Sequence, residues 1–328
     1  FIRNHLNGWV PDSELQRLVL WMKTREAYAM SEVEFALGKG NGNRPQPKAD
    51  ATVKAPIPEG VCLSEVMAAG DQDFVELFNR SDVAMDLSGY QLSDNDGKLD
   101  KFVFAEGTEI AAGDYYVIAA DELGFKLEGS GESVFLSLPG ATEPVDSVTF
   151  GLQLAGHSIG RVGDLAHWTL TLTSAGRSNT AVATGGPGSL CFNEWMVHPH
   201  LKFDTDFVEL FNRSSQPVAL GGLRITNDPF NYPEQHVLQP LSFVAGNGIV
   251  MLKGLGGDAS KSDARELPMK FPYEYGFIHL AGKNGRRIDQ VSYQCQRRDV
   301  SQGRSKDGDL LLSYFQDPTP GTSNTGPA

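Results

Sequence analysis

The sequence predicts an all-β chain of two β-sandwiches in tandem, preceded by one amphipathic helix and a proline-rich linker. Three observations carry this reading. Residues Asp73–Ser81 (DFVELFNRS) recur as Asp206–Ser214, a nine-residue identity that chance does not supply. The same shift of 133 residues relates Leu87–Asp94 (LSGYQLSD) to Leu220–Asn227 (LGGLRITN). From Val61 onward, short apolar–polar alternations are separated by Gly, Asn, Asp and Pro at short intervals.

The helix comes first. Ser13 and Gln16 form a capping-box pattern behind Pro11. Leu15, Leu18, Val19 and Met22, then Met30, Val33 and Leu37, recur near the helical period, and Gly38 is a natural stop. This amphipathic segment has nothing local to pack on. Residues 1–38 therefore read as the end of an upstream domain absent from the chain, and 39–60 as an extended linker. The first sandwich spans 61–179, a second linker 180–189, the second sandwich 190–324 and a tail 325–328. Each repeat is long enough to bury its own core. The small, glycine-rich residues between them allow a wide range of angles, like beads on a string.

Within the first repeat, Phe74, Glu76 and Phe78 face one side of a strand and Val75 and Leu77 the other. Further strands are expected at Lys101–Phe104, Tyr115–Ala119, Ser133–Leu138 and Val145–Phe150. The repeat offset grows from 129 at Cys62/Cys191 to 133 at the nonamer, 143 at Asp146/Asp289 and 145 at the closing Ser-Asn. The second repeat has thus gained about four residues before the nonamer and about ten between 254 and 273. Insertions collect in surface loops, where function diverges.

Charge is uneven. Residues 61–180 hold 19 acidic and 6 basic side chains, against 15 and 14 in 190–324. An acidic unit repels phosphate backbones and anionic lipid, which argues against nucleic acid as a partner. No apolar run reaches membrane-spanning length. Cys62 and Cys191 hold matching positions, each three residues before a Glu, and read as small buried residues. A Cys191–Cys295 bridge is the alternative.

Several ordered motifs resemble the lamin-tail domain. They are FVELFNRS, DLSGYQLSD, the Phe102/Phe104 strand and Gly113 before Tyr115. Val145-Asp146 and Ile288-Asp289, Ser158–Arg161 and Ser301–Arg304, and Thr319–Asn324 (TPGTSN) continue the bacterial form. The first repeat departs at its end, where SAGRSN stands in place of TPGTSN. The resemblance implies two immunoglobulin-like sandwiches from a bacterial secreted or surface protein. The first helix, with Trp21 and Arg25, is similar to the last helix of spore-coat-protein H kinase-like domains, which commonly precede such modules.

Candidate sites are few. Asp146 and Arg161, like Asp289 and Arg304, lie 15 residues apart and read as charge-assisted turn clamps. Glu76 and Glu209 lack a local second carboxylate or base and read as strand residues, exposed or paired. Asp94, Asn95, Asp96 and Asp100 echo a calcium loop without its closing Glu, so a turn is favoured. His198, His200, Asp204 and Asp206 are the candidate metal ligands, since His-x-His puts both imidazoles on one face of a strand; surface polar residues are the preferred reading. Lys283, Arg286 and Arg287 flank an Asn-Gly hairpin signal and are the candidate ligand-binding residues, with Arg297, Arg298, Arg304 and Lys306 extending the basic cluster. Trp168 and Trp195 are candidate aromatic platforms, with core packing preferred. No GxxxxGK[ST], GxSxG, HExxH or CxxC is present, and no cofactor is expected.

The function expected from this is non-catalytic: interaction and spacing modules of a larger extracellular or envelope protein, tethering or presenting a neighbouring domain. A protein or cell-envelope component is the expected partner. The alternatives are the accessory end of a kinase-like enzyme with its active site upstream, or a glycan- or polyanion-binding module.

Overall fold

A computed structural model of the chain describes residues 58–70, 72–163, 167–259 and 263–324. The expected helix, most of the first linker and the tail lie outside the described residues.

Twelve strands come from the first half: β1 (Val61–Met67), β2 (Phe74–Asn79), β3 (Met85–Asp86), β4 (Gln91–Ser93), β5 (Phe102–Val103), β6 (Glu109–Ile110), β7 (Tyr115–Ala119), β8 (Glu132–Ser137), β9 (Asp146–Phe150), β10 (His157–Val162), β11 (His167–Leu172) and β12 (Thr180–Ala181). The second half supplies twelve more: β13 (Leu190–Met196), β14 (Asp206–Asn212), β15 (Val218–Ala219), β16 (Arg224–Thr226), β17 (His236–Val237), β18 (Phe243–Val244), β19 (Ile249–Gly254), β20 (Glu266–Leu267), β21 (Gly276–Ala281), β22 (Arg287–Tyr293), β23 (Ser301–Arg304) and β24 (Leu312–Phe315).

The first half forms a six-stranded sheet β12-β11-β10-β1-β2-β7, a four-stranded sheet β5-β4-β8-β9 and the pair β3-β6. The second forms β20-β19-β14-β13-β23-β24, β17-β16-β21-β22 and β15-β18. The order repeats strand for strand, except that β12 belongs to the first half alone and β20 to the second alone. The fold is all-β and consistent with immunoglobulin-like sandwiches. The expected alternation on β2 holds: Val75 and Leu77 are fully buried in the core, between the two large sheets.

Two apolar clusters fill the halves, and they trade one residue each. Leu152, just after β9, belongs to the second cluster, while Phe243 on β18 belongs to the first. Burying a side chain of this size stabilises by about 1.5–3 kcal/mol. The backbone follows the exchange. Gly151 N–H donates to Pro240 O (2.8 Å), Phe243 N–H to Leu152 O (2.8 Å) and Ala264 N–H to Ser130 O (2.8 Å). Gly151 leaves no room for a side chain, because a Cβ there would run into Ser242 Oγ.

The segment 180–189 is also held down, and this corrects the beads-on-a-string expectation. Its first two residues are β12, Gly185 N–H donates to Pro217 O (2.7 Å), and Pro187–Ser189 form a 3₁₀ turn. Gly185 lies close against Ser214 and Val218, whereas Gly186 and Gly188 have open space beside them.

Candidate functional site

The repeated nonamer is identical in both halves because nearly every residue has a fixed task. Its alternate apolar residues enter the core. Asn79 Nδ2 donates to Val83 O, Ile110 O and Ala111 O, and Asn212 Nδ2 to Gln216 O and Ala245 O. These amides close the turn that follows. Arg80 reaches Pro58 O (2.8 Å), and Arg213 reaches Gly308 O (3.1 Å).

Glu76 and Glu209 are fully buried. They point away from the core, yet a closing loop covers them. Glu76 accepts from Gly176 N–H (2.6 Å), and Glu209 accepts from Gly321 N–H. Both glycines sit at positive φ, 74° and 77°, where a side chain would be strained. Sequence reasoning missed the second carboxylate. Glu65 lies opposite Glu76 across the β1–β2 ladder and is fully buried, as is Glu194 on β13. Glu65 accepts from Ser158 Oγ and from Ser174 N–H and Oγ (both 3.0 Å); Glu194 accepts from Ser301 Oγ and from Thr319 N–H and Oγ1. The shared Glu three residues after Cys62 and Cys191 was the available signal.

These contacts explain why SAGRSN can stand where TPGTSN is expected. Ser174 repeats the bonds of Thr319, and Gly176 those of Gly321. Asn179 and Asn324 each bridge two backbone carbonyls, Ser64 O and Arg161 O in one half, Asn193 O and Arg304 O in the other.

Burial pushes the Glu76 carboxyl up to about 7 and the Glu209 carboxyl to about 8, against an ordinary 4.5. One oxygen of each, Glu76 Oε1 and Glu209 Oε2, has no hydrogen-bond partner. A neutral carboxyl tolerates that position far better than a carboxylate. All four glutamates are fully buried and each accepts a hydrogen bond from the closing loop of its half.

The expected clamps form. Arg161 meets Asp146 at 2.6 Å and Arg304 meets Asp289 at 3.1 Å. Each aspartate also accepts the amide released where β1 or β13 bulges: Leu63 N–H (2.9 Å) and Phe192 N–H (2.8 Å). Arg304 is therefore a buried structural residue and leaves the basic cluster. Trp168 lies half-buried under the Arg161 guanidinium and Trp195 is fully buried, so neither is an open platform. Cys62 and Cys191 are buried free thiols and Cys295 an exposed one. Burial raises the Cys62 thiol to about 11, which keeps it inert.

Lys283, Arg286 and Arg287 are exposed at the β21–β22 hairpin. Arg297 and Arg298 follow the other end of β22, seven residues or about 23 Å away. The cluster seen in the sequence is thus split in space. The metal candidates also separate by role. His198 Nδ1 contacts Gln296 O (3.0 Å) and its ring stacks on Tyr273; the His200 backbone N–H donates to Asp299. Asp204 is exposed, whereas Asp206 is buried, correcting its surface reading, and accepts Phe271 N–H (2.9 Å). Among the described residues no group of three His, Cys, Asp or Glu could hold a metal ion. Asn95 Oδ1 accepts Gly97 N–H (2.8 Å) and Asp94 pairs with Lys101, which makes that segment a turn.

A cleft of about 1300 Å³ opens over the outer face of the first six-stranded sheet, lined by Met67, Phe74, Val117, Ala119, Ala155 and Ala175 among others. Among the described residues no helix is long and apolar enough to cross a membrane.

Comparison with known families matches residues 55–151, which include β1 to β9, to the family described as Lamin Tail Domain. No curated protein and no solved structure matches the chain.

Proposed function

We propose that the chain is a pair of lamin-tail-like modules acting without catalysis, as a stiff two-unit interaction and spacer segment of a larger bacterial secreted or cell-surface protein. In that protein it tethers or presents a neighbouring domain. The reciprocal core exchange carries the reading: Leu152 packs into the second cluster and Phe243 into the first. Two independent binding beads gain nothing from such an exchange, whereas a spacer that must hold a fixed geometry does. The buried carboxylates support it from the other side, since the strongest titrating groups are consumed in holding loops. The same strand order in both halves supports assigning the second half to the same kind of module.

Small-angle scattering of the chain tests this. A single fixed separation of the two halves is expected, lost when Leu152 and Phe243 are both changed to Ala. A wild-type profile that needs a broad ensemble of separations would sink the spacer reading.

A further inference from the structure

The two six-stranded sheets differ at their edges. In the second, β20 runs parallel to the end of β19, with Lys253 N–H donating to Arg265 O (2.7 Å) and Leu255 N–H to Leu267 O (3.1 Å). Among the described residues the first sheet has no such strand on β7. The segment after β7 turns in at once instead: Glu122 N–H donates to Ala119 O (3.0 Å) and Leu123 N–H to Ala120 O (3.3 Å).

The ladder shows which groups this leaves open. Ala120 N–H donates to Asp73 O (2.8 Å), and Asn79 N–H to Asp114 O (3.0 Å). Antiparallel alternation then turns the Tyr116 and Ile118 amides toward β2. The N–H and C=O of Val117 and the N–H of Ala119 face the open side, where no described strand pairs with them. Ala119 occupies the register position that Lys253 holds in the second sheet, opposite the first Phe of the nonamer.

The cleft meets this edge at Val117 and Ala119. Its walls are small: Ala69, Ala155, Gly156 and Ala175. Counterparts in the second half are His198, Arg298, Asp299 and Pro320 by the repeat offsets, and Phe203 packs on Phe207 there at 5.9 Å. The charged residues lining the cleft are Asp73 and Asp121, both acidic, within a unit holding 19 acidic and 6 basic side chains.

We propose that the open edge of β7 and the cleft beside it take an extended cationic peptide segment, which adds to the sheet as a further strand. Backbone pairing to Val117 and Ala119 supplies the register, as β20 does for β19 within the chain. Alternate side chains of the peptide enter the alanine-walled cleft, and its basic residues face Asp73 and Asp121. This rests on the interaction-module reading and names its partner class.

The test is anisotropy of a fluorescein-labelled octapeptide alternating lysine and valine, titrated with the whole chain. Binding is expected, weakened at least about ten-fold by Ala119→Lys and by Val117→Pro. The proline removes an amide that faces away from β2, so the existing ladder is kept. An alternating glutamate–valine peptide should bind at least about ten-fold more weakly. The proposal falls if the lysine peptide shows no binding up to about 1 mM, or if the glutamate peptide or either variant binds equally well. It also falls if sedimentation shows self-association that Ala119→Lys abolishes, since the edge would then belong to a second copy. Loss of peptide binding leaves the separation of the two halves within one chain unchanged, so the spacer reading stands or falls separately, on scattering from the monomer.

Discussion

Eleven strands are common to the two halves, and each half adds one of its own. The first adds β12 on the outside of β11; the second adds β20 on the outside of β19. Each addition covers one edge of a six-stranded sheet, and they cover opposite edges. Among the described residues, the first half is left with β7 open beside an acidic cleft. The second is left with β24 open, where Leu310 and Leu311 are 84% and 70% exposed. What the two halves share is the buried polar framework: the glutamate pairs, the Asp–Arg clamps and the closing asparagines. What diverged is the set of edges and loops. Buried charges leave little freedom to change, because removing one partner strands the other. Edges are free to change and decide what a sheet meets.

The largest effect should come from the seam that joins the halves. Phe243→Ala should cost about 3–5 kcal/mol and Leu152→Ala about 2–5 kcal/mol. The pair of changes should also split one denaturation transition into two, measured by urea unfolding at two probes. A single transition that survives both changes would mean the halves are coupled elsewhere.

The clamps come next, and here the halves should differ. Asp146→Ala leaves a buried guanidinium and should cost about 3–5 kcal/mol. Asp289→Ala should cost less, because Asp289 is the more exposed aspartate, 20% against 6% for Asp146. Equal losses in denaturant midpoint would show that this difference in exposure contributes nothing.

The fold was legible to an unusual depth for one physical reason: the two halves print the same constraint twice. The β2 alternation, the strands near Tyr115 and Val145, both insertions and both clamps could be read from paired residues. Single residues were harder. Glu65 and Glu194 were missed because a carboxylate on an outward strand face reads as exposed until a loop from about 110 residues away is laid over it. The seam was missed because Gly151 and Gly185 look like linker chemistry, and close approach leaves the same compositional trace as flexibility. The basic cluster was overread because sequence proximity ignores the length of β22. The open β7 edge could not be read at all, since an edge is defined by a strand that is missing.

A further comparison is set by pH. A buried carboxyl with a raised value holds a proton that the unfolded chain has already released. Its contribution to stability is whole below about pH 4.5 and is lost as pH rises through about 7 for Glu76 and about 8 for Glu209. The loss is at most roughly 3 kcal/mol for Glu76 and somewhat more for Glu209. Glu76→Gln and Glu209→Gln keep an acceptor for the glycine N–H and cannot ionise. Each should match wild type near pH 5 and exceed it above pH 8, with the wider window for Glu209→Gln. Glu132, also raised to about 7 by burial, titrates in both backgrounds and cancels from the difference. Variants that lose stability equally at pH 5 and pH 9 would show that the carboxyls act through shape alone.

The smallest effect is expected at the basic hairpin of the second half. Lys283, Arg286 and Arg287 are exposed, and Arg297 and Arg298 lie beyond the other end of β22. Charges separated by more than a Debye length, about 8 Å at physiological salt, do not act as one site on a small anion. Changing the three hairpin residues to Ala should therefore leave the melting temperature unchanged and leave elution from a heparin column unchanged. If wild type were retained in a salt-sensitive way and the triple variant released, the comparison would invert. The second half would then be the polyanion reader and the acidic first half its repelling neighbour, with the two open edges playing no part in recognition.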